Sequence, residues 1–302
     1  MTVRPPCLLI LGRHGQVGWE LERCVVSLGA IVAVGAHGAP LSVNLADKAA
    51  LRDLVRSVKP DWIFNAAAYT AVDRAEAEPD LAFAVNGEAP GVLAEEARRG
   101  GAVLVHYSTD YVFDGTANRP YVETDETRPL NVYGQSKLAG ERAIQAVGGR
   151  YLIFRTTWIY GARGHNFLLT IQRLARERDE LRIVSDQFAA PTWSRFLAQT
   201  TAHVVAVLER NPDRLEEVAG LYHVTNAGQT SWHGFAEAIV ANMGQCQALG
   251  AKRVLPIATE DYPTPARRPK YSVFDNSKAE QTFGISRPTW EQALALCLAQ
   301  QA

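Results

Sequence analysis

The chain has 302 residues, of which 47% are hydrophobic and 21% charged, an ordinary globular composition with enough length to bury a substantial core. Its 31 Lys and Arg balance 32 Asp and Glu, so composition points away from a nucleic-acid partner, and no apolar run is long enough to suggest a membrane span. Cys7, Cys24, Cys246 and Cys297 are scattered without a CxxC pair and read as free thiols; with an N-terminal apolar run too short for a signal sequence, the expectation is a soluble cytoplasmic protein.

In chain order, the apolar run 7–11 predicts a buried strand, followed by a glycine-rich turn and a helix over 17–28. A strand follows at 31–34, then an amphipathic helix at 48–58 that stops at "KP". Strands are predicted at 62–65, 102–107 and 151–155, with helices at 81–99 and 133–146 between them. Short apolar strands alternating with helices imply a parallel sheet covered on both faces. After residue 156 the rhythm loosens. Helical patterns recur at 167–177, 195–208, 232–243 and 290–300, and "PIATEDYPTPARRPKYS" reads as irregular. Residues 1–160 are expected to form the main domain, with later segments returning to it, and residues 161–302 mainly a smaller, partly interleaved lobe.

"LLILGRHGQVGWEL" places Gly12, Gly15 and Gly18 between the first strand and the first helix. That is the arrangement of a dinucleotide loop: glycines permit the tight turn and the approach of a pyrophosphate, and the helix start at Gln16 and Val17 offers free N–H groups. The fold class expected is therefore a doubly wound α/β sheet of the Rossmann type. At the end of the second strand, "IVAVGAHGA" has Gly35 where an NAD-preferring site often carries an acid, which tilts the cofactor toward NADPH, with NADH as the alternative. His37 and Arg13 are candidates for a 2′-phosphate contact, and each reads equally well as solvent-facing. By position, Ala68 would let a cofactor pass over the third strand's end, and Asn44 and Leu45 would border the adenine.

"HYSTDYVFDG" puts Ser108, Thr109 and Asp110 just past the expected end of the 102–107 strand, where open α/β sheets bind ligands. "NVYGQSKLAGE" places Tyr133 one helical turn before Lys137. Hydride transfer to a ketone needs these parts. A donor must meet the charge growing on oxygen, and a phenol with a pKa near about 10 is a poor one unless a nearby ammonium lowers it. Thr109 would orient the carbonyl oxygen.

The segments "GQVGWEL", "NAAAYTAVDRAEAEP", "HYSTDYVFDG", "ETDETRPLNVYGQSKLAGE", "FRTTWIYG", "NFLLTIQRLA", "DQFAAPT", "GLYHVTNAG" and "YPTPARRPKYS", in that order along nearly the whole chain, resemble the dTDP-4-dehydrorhamnose reductase family of extended short-chain dehydrogenases/reductases. The resemblance implies reduction of the C4 ketone of dTDP-4-dehydro-β-L-rhamnose by NADPH or NADH, the last step of dTDP-rhamnose synthesis. It implies Thr109, Tyr133 and Lys137 as the catalytic triad, Gly15, Gln16 and Val17 as the pyrophosphate loop, and Ala68, Tyr69, Thr70 and Tyr107 as cofactor-lining positions. Asp110 and Trp158 match sugar-contacting positions. Magnesium and a homodimer are further implications, with no ligand set for the metal identified. Three positions depart from the family pattern: Gly35, Ala189 in "DQFAAPT" and Phe274 in "YSVFDNSK".

For the diphosphate end of such a substrate, "TPARRPK" supplies Arg267, Arg268 and Lys270 in a proline-stiffened loop, with Arg268 the chosen contact. Gln187 and Thr192 are candidates for the base or sugar. Two other readings stay open: another sugar-nucleotide ketoreductase or epimerase of the same superfamily, and a non-catalytic NADP-binding regulatory subunit.

Overall fold

The computed structural model describes residues 4–38, 41–244, 250–251 and 253–301; Cys246 lies outside the described residues. Strand β1 (Cys7–Leu11) is buried along almost its whole length, as a run of apolar residues requires. With β2 (Ala30–Val34), β3 (Trp62–Asn65), β4 (Val103–Thr109), β5 (Tyr151–Thr156) and the strand Gly220–His223 it forms a six-stranded parallel sheet. From one edge the order is Gly220–His223, β5, β4, β3, β1, β2. The winding reverses at β1, which has β2 on one side and β3 on the other, so a crevice opens there at the strands' C-terminal ends.

Alternate residues of each strand feed opposite cores. Leu8, Ile10, Trp62, Phe64, Val105 and Phe154 pack with Leu21 of the helix Gln16–Cys24 and Leu197 and Val205 of the helix Ser194–Glu209. Leu9, Leu11, Ile63, Leu104 and Ile153 pack with Leu51, Leu93 and Ile144, from the helices Lys48–Val58, Ala89–Gly100 and Val132–Val147. The chain beyond residue 160 returns to the sheet twice. Ser194–Glu209 lies against Gln16–Cys24, where Arg195 bonds the buried Glu20 at 2.9 Å, and Gly220–His223 pairs with β5. The remaining lobe holds the helices Phe167–Glu177 and Trp232–Gly244 and the parallel pair Glu180–Val184 and Arg253–Ile257.

The helix expected over 17–28 ends at Cys24, the central-sheet strand Gly220–His223 has no counterpart in the sequence expectation, and two further differences bear on the site. The helix predicted over 81–99 is broken into Pro79–Phe83, a π turn at Ala84–Glu88, and Ala89–Gly100. Pro90 has no N–H to bond the carbonyl of Asn86, so the turn widens there. The Asn86 side chain turns inward instead, bonding both the N and the O of Tyr69 at 2.9 Å and the Ser136 hydroxyl at 3.1 Å. Strand β4 runs on through Ser108 and Thr109, which pair with Arg155 and Thr156, so both are the strand's last residues rather than the first beyond it.

The helix Val132–Val147 is fixed by a buried ion pair. Glu141 accepts Arg155 Nε at 2.9 Å and Nη2 at 2.6 Å, and the Ser108 hydroxyl as well. Helix, β5 and β4 are thereby locked together through residues that are 1% and 3% exposed. Replacing one partner leaves the other charge buried, so Glu141→Ala is expected to lower the unfolding free energy by about 3–5 kcal/mol in urea titrations, and a loss under about 1 kcal/mol would refute this account.

Candidate active site

A cleft of about 830 Å³ opens at the C-terminal ends of β1, β3, β4 and β5. The sequence-predicted Gly12, Gly15, Gln16, Val17, Asn44, Leu45, Ala68, Tyr69, Thr70, Tyr107, Thr109, Asp110, Tyr133, Lys137 and Trp158 all line it. Gly18, Gln187, Thr192 and Arg268 do not line it.

The glycine loop is built for backbone contact. Gly12 has φ +87°, and a Cβ there would lie 2.7 Å from Ala67 N. Gly15 caps the helix Gln16–Cys24 without any side-chain hydrogen bond to its first amides, which suits a pyrophosphate as acceptor. Gly18 is a packing residue: a Cβ on it would meet Gly12 O at 2.1 Å, so its absence lets the helix sit on the loop. Arg13 turns away from the cleft, bonding Ala33 O at 3.3 Å and pairing with Glu22 at 3.1 Å. Among the remaining cofactor-side candidates, Asn44 Oδ1 accepts Ala46 N at 3.0 Å, and the Tyr69 hydroxyl donates to Glu78 at 2.6 Å.

Lys137 is 2% exposed and its ammonium donates to Tyr107 O at 2.6 Å and to His106 Nε2 at 3.3 Å. Burial lowers its pKa to about 8, with Glu141 pulling it back up. His106 is held well below the usual imidazole range by its own burial and by that ammonium; its Nδ1 lies 3.0 Å from the Asn65 side-chain amide. Tyr107 contributes its carbonyl here, while its phenol points into the core and meets Thr201 at 2.9 Å.

Tyr133 stands edge-on to Tyr111, with ring centroids 5.5 Å apart. Its pKa is pushed up to about 12 by burial; Thr109 draws it down and the Asp110 charge adds to the rise. This corrects the expectation that the Lys137 ammonium lowers it. Two of that ammonium's donors go to Tyr107 O and His106, and desolvation of the phenolate dominates. Thr109 Oγ1 donates to Asp110 Oδ1 at 3.1 Å and accepts Tyr111 N at 3.2 Å. Asp110 Oδ2 accepts the Ser272 hydroxyl at 2.6 Å, and burial raises this carboxyl to about 6 against the pull of those two bonds.

Trp158 has φ +41°, a region costing a bulky residue about 1–3 kcal/mol. Its ring stacks on Trp232 at 3.5 Å with planes 10° apart, a partner that sequence reading missed because only the fold brings the two together. Arg268 is occupied: it grips Asp73 through two bonds of 3.1 and 2.8 Å and also donates to Thr264 and Ala266 O. Lys270 pairs with Asp186 at 3.2 Å and with Glu260. The Arg267 carbonyl accepts Asn131 at 2.7 Å. Gln187 donates to Thr259 at 3.2 Å, and Thr192, fully buried, donates to Ala190 O at 3.1 Å. Asn86, His106, Glu141 and Ser272 also escaped the sequence reading, since each acts on a residue distant in the chain. Among the described residues no group of three or more His, Cys, Asp or Glu side chains converges, and no ligand set for magnesium is identified there.

The family model described as the RmlD substrate binding domain matches residues 7–302. A dTDP-4-dehydrorhamnose reductase of Burkholderia thailandensis is 51% identical over 294 residues, covering 96% of this chain and 97% of the relative. That of Escherichia coli K12 is 43% identical over 285 residues, with 94% of each chain covered. The crystal structure of the Bacillus anthracis reductase in complex with NADP superposes with a TM-score of 0.89 at 32% identity, covering 99% of this chain and all of that one. A Thermus thermophilus UDP-glucose 4-epimerase in complex with NAD, 19% identical with a TM-score of 0.79 over 98% of both chains, shares the fold. A Rossmann-like sheet, a dinucleotide loop and a Thr-Tyr-Lys cluster thus sit in a sequence matched along almost its whole length, and the chain belongs to the dTDP-4-dehydrorhamnose reductase family.

Proposed function

We propose that this chain reduces the C4 ketone of dTDP-4-dehydro-β-L-rhamnose to dTDP-L-rhamnose with NADPH, the last step of dTDP-rhamnose synthesis. The observation that carries this is the convergence of Thr109, Tyr133 and Lys137 in the same cleft as the uncapped glycine loop. When bound, the nicotinamide supplies the hydride. Everything else falls to the chain. Tyr133 gives its proton to the oxygen that becomes an alkoxide. A phenol raised to about 12 is fully protonated at neutral pH, so the donor is loaded, and an alkoxide is basic enough to take its proton. Two protein acceptors hold the Lys137 ammonium, leaving a third N–H for a ribose hydroxyl. Thr109 Oγ1, now donating to Asp110, can redirect that bond to the carbonyl oxygen and stabilise the charge that develops there.

In this reading residues 1–160 and the returning segments hold the dinucleotide, while 161–302 mainly hold the sugar nucleotide. Asp110 and Trp158 border the hexose. Gln187, Thr192 and Arg268 are proposed on the substrate side, outside the lining of the cleft, with Arg268 also holding Asp73. No step passes through magnesium. The proposed setting is the cytoplasm; no helix among the described residues is long and apolar enough to cross a membrane.

The test is coupled turnover, with dTDP-4-dehydro-L-rhamnose made in situ and NADPH or NADH followed by absorbance. Substrate-dependent oxidation is expected; none, from protein that binds NADPH, would overturn the proposal and favour the regulatory reading. Tyr133→Phe should keep NADPH binding within about twofold yet lose about 10²–10⁴ in kcat, and near-native turnover would exclude it as the proton donor.

Asp110 gives a pH prediction. Its folded pKa of about 6 lies above the ordinary carboxylate value. The folded state therefore binds this proton more tightly, and the stability so gained is present at low pH and lost as pH rises through about 6. Relative to the parent, Asp110→Asn should become steadily more favourable for folding between about pH 4 and about pH 7. A difference that stays flat across that range in denaturant titrations would refute it.

A further inference from the structure

At the end of the second strand, a dinucleotide site reads the ribose 2′-position with an acid for a hydroxyl or a cation for a phosphate. Gly35 stands there, buried, directly after β2. A Cβ at that position would lie 2.5 Å from His14 Cδ2 and 2.7 Å from His14 Nε2. The His14 imidazole, reaching over from the glycine loop, therefore fills the space that an acidic side chain at position 35 would need. His37 stacks on it, with ring centroids 6.1 Å apart and planes 22° apart. Both imidazoles line the cleft and both residues are exposed. Among the described residues neither ring has a hydrogen-bond partner. Arg13, the nearest guanidinium in the sequence, is committed to Ala33 O and Glu22.

We infer that His14 and His37 form the 2′-phosphate-reading pair of this chain, with His14 the specificity-determining residue. Its ring lies where a side chain at position 35 would start and, with His37, offers imidazole donors to the 2′-phosphate of NADPH. An imidazole donates in its neutral and its charged form alike. The inference rests on the cofactor reading proposed above. It separates from that reading because it is measured by binding without substrate.

The experiment titrates the full-length chain and its variants with NADPH and NADH by fluorescence, and with 2′,5′-ADP and 5′-AMP by calorimetry. His14→Ala should weaken NADPH and 2′,5′-ADP by about tenfold, as loss of one hydrogen bond to a charged group does, while NADH and 5′-AMP stay within about twofold. Gly35→Asp alone should displace the His14 ring and shift binding from NADPH and 2′,5′-ADP toward NADH and 5′-AMP. The double variant His14→Ala/Gly35→Asp makes room for the acid and should bind NADH more tightly than NADPH. An unchanged NADPH-to-NADH ratio in His14→Ala, or equal weakening of 2′,5′-ADP and 5′-AMP, would overturn the assignment. Normal binding ratios with no turnover would overturn only the reductase proposal, and no binding of any of the four ligands by the parent chain would overturn the cofactor reading on which both rest.

Discussion

Lys137 is an ammonium with 2% of its surface exposed, and such a group is tolerated only where protein acceptors replace water. One acceptor, the Tyr107 carbonyl, belongs to β4; the other, His106, precedes it on the same strand. The helix that carries Lys137 must therefore lie at one height and one rotation against β4. Glu141, one turn further along, imposes the same placement through Arg155 and Ser108. Asn131 fixes the helix start, capping Gly134 with its oxygen and holding the Arg267 carbonyl with its nitrogen. With the helix so constrained, Tyr133 has no choice but to stand beside Thr109 and Asp110. The reacting groups are positioned by the terms of burying one charge.

The same bonds join the two halves of the chain. Ser272 reaches Asp110 from the C-terminal segment, and Arg268 holds Asp73 of the short helix Val72–Ala75. The irregular "PIATEDYPTPARRPKYS" stretch thus works as a clasp whose side chains close on the first half. Two of its three cations, Arg268 and Lys270, are paired with carboxylates within the protein, so the sequence's suggestion of a free anion-binding loop meets a structure in which those two are already occupied.

What was legible in the sequence follows from the range over which each feature is decided. Cys7–Leu11, Trp62–Asn65, Lys48–Val58 and Phe167–Glu177 match their predicted bounds because a run of apolar residues or a helical period is a local property. The spacing of Tyr133 and Lys137 was equally local. The proton affinity of Tyr133 was not, since it depends on burial and on where the Lys137 donors go, and the sequence reading had its direction reversed. Asn86, Trp232 and His14 were invisible for the same reason: each matters through a contact with a residue far along the chain.

The widened turn at Ala84–Glu88 has a geometric effect of its own. Each residue of an α-helix advances the side-chain direction by about 100°, so one residue accommodated in a wide turn shifts the phase of all that follows. Leu81 and Val85, ahead of and within the turn, face the cleft, whereas Leu93 and Ala97, beyond it, face the core. The turn thus lets one run of helix present Leu81 and Val85 to the cleft and Leu93 and Ala97 to the core, a fixed change of phase between what the protein binds and what holds it together.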